Sequence, residues 1–244
     1  MKIVTLSFDD GILQDERLVS ILNACRLKGT FNLNSALLGT KGELAFPDKR
    51  VAHDKIAPER VKSLYQGHEV AAHTLTHPDL KKLSYGRILR EIEEDRRALE
   101  TIAERKVIGF AYPGAHPNYN ASVLRAVRET GVKYARTIEN TGDFSLPEDF
   151  YRWRPTIQAN DVRALADTVR RFLAEKDDES IKLLYIWGHS YEFDYYDSWE
   201  EVGKIFETLK NSAEIHSMTN GEVYRMLADQ RTQEEKRRES GTNG

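Results

Sequence analysis

Two imidazoles stand four residues apart at His73 and His77, and two carboxylates stand side by side at Asp9 and Asp10. On one helical turn residues i and i+4 face the same side, so the two histidines can share one cation. Two histidines and one carboxylate leave a coordination position open, the arrangement of catalytic rather than structural zinc. One aspartate of the pair completes that set. The other is left as a free base beside an activated water. A third histidine, His189, closes the apolar run 181–187 and Gly188. Singly, each feature has a plainer reading. HxxxH is usually not a metal site, Asp-Asp-Gly is usually a turn, and a strand-end histidine is usually a satisfied one. It is their joint placement at the ends of successive strands that argues for a site.

Those strands follow from the hydropathy pattern. Residues 3–8 form a β-type run that stops at Asp9-Asp10-Gly11. Residues 15–28 have helical spacing, with Leu18, Ile21, Leu22 and Cys25 on one face and Gly29 as a C-cap. Strands are expected over 30–33, 68–72, 107–112, 132–136, 151–157, 181–187 and 215–218. Helices are expected over 58–66, 84–106, 121–130, 161–175, 200–211 and 221–231, and residues 35–57 read as a long loop. Sustained strand–helix alternation implies an α/β fold with a mostly parallel sheet. In α/β barrels the active site gathers at the C-terminal ends of the strands. Asp9, Asp10, His73, His77, Tyr112-Pro113-Gly114, Arg136 and His189 all fall there, so groups far apart in the chain can converge.

The 244 residues carry 36 basic and 39 acidic side chains, a formal net charge of −3. That balance gives no electrostatic case for a nucleic-acid or membrane partner. The single cysteine, Cys25, excludes an intramolecular disulfide and a multi-cysteine metal cluster; its place on a helix stripe predicts a buried, inert thiol. No apolar run matches a signal peptide or a membrane span, so the chain reads as cytoplasmic. A single domain over 1–232 and a frayed tail over 233–244 are expected.

The motifs resemble those of the polysaccharide deacetylases of carbohydrate esterase family 4, with the NodB-like fold. Ser7-Phe8-Asp9-Asp10-Gly11 is similar to the family's Thr-Phe-Asp-Asp-Gly, and His73-Thr74-Leu75-Thr76-His77 to its metal-binding His-Ser/Thr-x-x-His. Lys28-Gly29-Thr30-Phe31 resembles the strand between them, and Ile186-Trp187-Gly188-His189 the last motif, Leu-x-x-His. The resemblance implies a distorted (β/α) barrel of about seven parallel strands. It implies one divalent metal, usually zinc, with cobalt or another divalent ion possible, held by Asp10, His73 and His77. It makes Asp9 the catalytic base and His189 the acid that protonates the leaving amine. The implied reaction is hydrolysis of an N-acetyl group on an amino sugar or oligosaccharide of the GlcNAc type.

Where the family's third motif reads Arg-x-Pro-Tyr/Phe, this chain has Ala111-Tyr112-Pro113-Gly114, so the arginine that orients the base is missing. Arg136, at a strand end, is the favoured substitute, and Arg154 the alternative. Asp149 and Trp153 fit the fourth motif only loosely. Tyr112, Pro113, Gly114 and Trp187 are the candidate substrate-binding residues. Trp187, Tyr112 and Tyr191 could floor a sugar site or simply pack the core. His53, His68, His116 and His216 receive no role.

The expected partner is a small-molecule or oligosaccharide substrate, and the oligomeric state is open. Hydrolysis of another C–N bond, as in a cyclic imide or ureide, is the second reading; a non-catalytic glycan-binding relative is the third. The deacetylase assignment needs Asp9 ionised while His189 is protonated, so rate against pH should be bell-shaped. A flat kcat between about pH 5 and 9, with chemistry rate-limiting, would contradict that pair of roles.

Overall fold

The computed structural model describes residues 1–176 and 180–241. The chain begins with β1 (Lys2–Asp9), α1 (Asp15–Ala24) and β2 (Gly29–Leu33). A hairpin follows, β3 (Glu43–Ala45) and β4 (Arg50–Ala52), then α2 (Pro58–Leu64) and β5 (Glu69–Ala72). Next come α3 (Tyr85–Ala103), β6 (Gly109–Ala111), α4 (Ala121–Glu129) and β7 (Tyr134–Arg136). The last part holds β8 (Ile157–Gln158), α5 (Val162–Ala174), β9 (Lys182–Gly188), α6 (Tyr191–Tyr195), α7 (Trp199–Lys210), β10 (Ile215–Ser217) and α8 (Asn220–Gly241). No helix among the described residues is long and apolar enough to cross a membrane.

The main sheet runs β7-β6-β5-β2-β1-β9-β8, every pair parallel; it matches the expected α/β fold of about seven parallel strands, with the distorted barrel taking the form of a curled half-barrel. β1 is its axis. β9 lies along one edge from Lys2 to Phe8, while β10 and β2 share the other edge, pairing Lys2–Val4 and Leu6–Asp9 respectively. The sheet curls until its ends nearly meet. Trp153 bridges to Arg136 of β7, and β8, a few residues on, pairs with β9.

Alternation along these strands separates two environments, because successive side chains point to opposite faces. Val4, Leu6 and Phe8 join Phe31, Leu33, Val70, Ala72, Leu184 and Ile186 in the larger apolar cluster, with the helices. On the other face Ile3 meets Tyr134, Trp153, Leu183 and Tyr185 in a smaller cluster at the base of the barrel. Above that base the same face carries Thr5, Ser7 and finally Asp9, all buried. The barrel interior therefore grades from apolar at the bottom to charged at the top.

Several local expectations are corrected. Gly29 does not cap α1; it is the first residue of β2, and Cys25 sits at the C-cap, buried as expected. Residues 151–157 are not one strand. A 3₁₀ turn at Phe150–Arg152, started by Asp149 accepting from the Tyr151 N–H, precedes the short β8. Residues 35–57 hold the β3–β4 hairpin rather than a plain loop. The helix α6 was not anticipated, and α8 runs on to Gly241 through most of the stretch expected to fray; residues 242–244 lie outside those described.

Gly109 shows how tightly the barrel end is packed. A Cβ there would lie 2.1 Å from the hydroxyl of Tyr134, its register partner on β7, whose side chain is fully buried. Gly109→Ala should therefore destabilise the fold by about 1–3 kcal/mol through overpacking, read by denaturant unfolding.

Candidate active site

β1 ends at Asp9, and the chain turns sharply to leave the sheet. Asp10 takes a φ of 84° and Gly11 a φ of 61°, conformations that strain a non-glycine residue but not glycine. A Cβ on Gly11 would also lie 2.7 Å from Leu33. The turn sends the two adjacent carboxylates to different partners.

Asp9 points into the barrel. Arg136 Nη2 donates to both its oxygens, at 2.6 and 2.5 Å, and Asn32 Nδ2 donates to Oδ1 at 2.7 Å. Both partners of the ion pair are buried. Burial is the largest influence and would raise the Asp9 pKa, but the Arg136 guanidinium together with His73 and His189 outweighs it and holds the carboxyl below its ordinary value. The Arg136 guanidinium also lies 4.7 Å from the centre of the Trp187 ring, which braces it from the far side. Arg154 is elsewhere, half exposed and beside Glu139.

Asp10, His73 and His77 form a group whose candidate ligand atoms all lie within 4.8 Å of one another. Their chemistry fits a divalent cation. His73 Nδ1 is 2.8 Å from the Ala111 carbonyl, so Nδ1 carries the proton and Nε2 keeps its lone pair. Burial pushes the His73 pKa down to about 4, which keeps the ring neutral as a ligand must be. His77 Nε2 lies 3.9 Å from Asp10 Oδ1. Asp10 is itself held well below the usual carboxylate range: burial opposes its charge, and the bond from His53, with His189 and Lys55 nearby, overcomes it.

The backbone under the histidines is built by buried acids of α3. Asp95 accepts from the Ser35 and His73 N–H groups, at 2.7 and 2.9 Å, and Glu91 accepts from Thr76 N–H and hydroxyl. Burial raises Asp95 to about 7. These contacts fix a loop in which Thr74 and His77 both have positive φ.

His189 follows β9 and faces Asp9, with Nε2 3.9 Å from Oδ2. Its Nδ1 is 3.5 Å from Glu192 Oε1, while Glu192 is fixed by Gln158 Nε2 and by the His189 N–H. Burial works against a charged imidazole here, but Glu192, Asp10 and Asp9 together raise its pKa to about 9. Behind it, Ser190 donates to the buried Asp15, which also accepts from Tyr65.

A cavity of about 640 Å³ opens over these groups. Tyr112, Gly114, Trp187 and Tyr191 line it, whereas Pro113 is buried outside the lining. Tyr112 is itself buried, its hydroxyl donating to the Tyr151 carbonyl. Asp149 and Trp153, the loose fit to a fourth motif, do not reach His189. Asp149 pairs with Arg128 and Arg152, and Trp153 packs in the smaller core cluster. The carboxylate beside His189 is instead Glu192.

Four further residues join the site that sequence reasoning left out: Asn32, Glu192, and His53 and Lys55 from the segment following β4. His53 Nε2 is 3.0 Å from Asp10 Oδ2, and Lys55 Nζ donates to the Asp10 carbonyl at 2.9 Å. Asn32 was legible as an inward position of β2; the other three carried no motif. His68, His116 and His216 remain outside the site: His68 accepts from the Gly29 N–H, His116 pairs with Glu139, and His216 is exposed on β10.

Truncating Arg136 would leave Asp9 charged, buried and unpaired, and breaking such a pair costs about 3–5 kcal/mol. Arg136→Ala should lose stability on that scale at pH 7. The deficit should shrink toward low pH, where Asp9 is protonated in both states; urea unfolding at several pH values checks both.

Residues 1–135, more than half of the chain, match the family described as Polysaccharide deacetylase. A curated relative, the uncharacterized protein YlxY of Bacillus subtilis (strain 168), is 30% identical over 132 residues, or 54% of this chain and 36% of its own. The chain thus spans about a third of that relative's length. The Xyl-CE4 domain of a multidomain xylanase from the hindgut metagenome of Trinervitermes trinervoides superposes with a TM-score of 0.58 at 20% identity, covering 93% of this chain and 91% of that one. BA3943 of Bacillus anthracis, described as a CE4 family pseudoenzyme, gives a TM-score of 0.58 at 17% identity over 91% of this chain and 65% of that one. At such identities the superpositions speak for the fold alone, but the family match stands on sequence: this chain belongs to the polysaccharide deacetylase family.

Proposed function

We propose that the protein is a metal-dependent hydrolase that removes the N-acetyl group from an amino sugar or oligosaccharide of the GlcNAc type. One observation carries the reading. The Asp10, His73 and His77 ligand atoms converge within 4.8 Å, and the ionised Asp9 and the basic His189 face each other beside them. Zinc is the cation that this donor set favours. When bound, it supplies a Lewis acid that polarises the acetyl carbonyl and eases deprotonation of the attacking water.

The chain's own groups do the rest. Asp9, kept ionised by Arg136, takes the proton of the water as it attacks the carbonyl carbon. His189, kept protonated by Glu192, passes its Nε2 proton to the nitrogen as the C–N bond breaks, since an amide anion is too poor a leaving group. Acetate and the free amine result. Of the three aromatic residues lining the cavity, Tyr112 and Trp187 are buried, so Tyr191 is the one left to meet a sugar ring. The presence of both Asp9 and His189 supports an active enzyme over a pseudoenzyme.

Release of acetate from a panel of N-acetylated sugars and oligosaccharides, by chelator-stripped protein before and after zinc, tests the reading. Release only with zinc is expected. Turnover of hydantoin-type rings that survives chelation would replace it with cyclic-imide hydrolysis. Asp9→Asn and His189→Ala should each lower kcat by about 10²–10⁴-fold with zinc still bound. In the wild type, activity should fall on the acid side as Asp9 gains a proton, below the ordinary aspartate range, so the structure widens the bell expected from sequence, and a plateau between about pH 5 and 9 no longer counts against these roles. It should fall on the alkaline side as His189 loses one, near pH 9. His189→Ala should abolish the alkaline limb.

A further inference from the structure

His53 lies in a segment that no family motif covers, yet it reaches the centre of the site. Its position is not left to a free loop. The return arm of the hairpin is stitched to the residues just after Asp10: Leu13 N–H donates to Asp54 O at 2.9 Å, Ile56 N–H to Gly11 O at 2.8 Å, and Lys55 bridges Ile12. Gln14 Nε2 adds a bond to Ala52 O at 2.7 Å. On the other side Lys49 and Tyr195 clamp the hairpin to α6, Lys49 Nζ donating to Asp194 O and the Tyr195 hydroxyl to Asp48. The His53 ring meets Tyr191 edge-on at 5.4 Å, and Tyr191 in turn stacks on His189.

This scaffold divides the two oxygens of Asp10. Oδ2 faces His53 Nε2 at 3.0 Å, while Oδ1 faces His77 Nε2 at 3.9 Å. Lys55 Nζ holds the Asp10 carbonyl and lies 3.6 Å from Oδ1. An ionised carboxylate can only accept, so His53 Nε2 carries the proton. Outer partners of this kind orient metal ligands, and their loss typically costs 10–100-fold in affinity.

We propose that His53 is a positioning residue for the metal centre: its Nε2–H holds Asp10 Oδ2 and presents Oδ1 alone to the cation shared with His73 and His77. The inference rests on reading those three residues as ligands, and extends the site to the β3–β4 hairpin.

Zinc affinity of the full chain, by competition with a chromophoric chelator, tests it apart from activity. His53→Ala should weaken zinc binding by about 10–100-fold. His53→Gln, whose amide reaches about as far as Nε2, should restore most of the loss; His53→Asn, with a shorter reach, should not. The cobalt(II)-loaded protein should keep its absorption band positions in His53→Ala, because the three ligands are unchanged. Equal zinc affinity in wild type and His53→Ala overturns the inference. So does a cobalt spectrum showing loss of a nitrogen ligand, which would make His53 a ligand itself. A wild type that binds no zinc sinks both this inference and the proposed function. Normal zinc binding without acetate release sinks the function alone.

Discussion

The buried contact between Asp9 and Arg136 is the constraint around which the barrel is arranged. It joins the central strand to the last strand of one sheet end, across 127 residues of sequence. Two charges removed from water tolerate little misplacement, since their attraction must offset a desolvation cost of several kcal/mol each. The barrel must therefore curl by the amount that brings β7 opposite β1. Asn32 and Trp187 close the remaining sides of the pair, and these come from the strands that flank β1. The same pairing helps keep Asp9 ionised in a dry setting, so the curl of the sheet and the charge at its centre have one cause.

Around this pair the protein uses acids on helices to shape loops at the barrel mouth. Asp95 and Glu91 of α3 hold the histidine loop, Asp15 of α1 holds Ser190, and Glu192 of α6 supports His189. Asp95 accepts from the buried His73 N–H, and Asp15 from the buried Ser190 and Tyr65 hydroxyls, groups that would otherwise be buried without a partner, which is where the cost of omission is largest. Burial raises Asp15 and Asp95 to about 7, whereas Asp9 and Asp10 are held low by cations. Four buried aspartates thus divide into structural groups poised near neutrality and ionised groups facing the cavity.

Much of this was legible in the chain. The strand–helix alternation carries the α/β class, and the strand ends mark Asp9, Asp10, His73, His77, Arg136 and His189. The preference for Arg136 over Arg154 rested on strand-end position alone, and the structure puts Arg136 on Asp9. What failed has physical reasons. Residues 151–157 have strand-like composition, but Asp149 caps a tight turn there, a local hydrogen bond that hydropathy does not register. Residues 35–57 lack a period because β3 and β4 are short and mostly exposed, with one face each to cover. His53, Lys55 and Glu192 belong to no repeating pattern; only tertiary pairing brings them to the site. Pro113 was placed with its motif neighbours, but it is buried outside the cavity lining.

The segment from Trp153 to Ala159 has a consequence for life in a crowded solution. An open parallel sheet ends in two rows of unpaired amides and carbonyls, which can template the addition of a foreign strand. Here one short stretch occupies both. Trp153 N–H donates to Ala135 O and Trp153 O accepts from Thr137 N–H on the β7 side, while Thr156 and Ala159 donate to Tyr185 and Trp187 carbonyls on the β9 side. A half-barrel with a seam this narrow carries its own plug, so the residues that tie the barrel mouth together also deny the sheet to other chains.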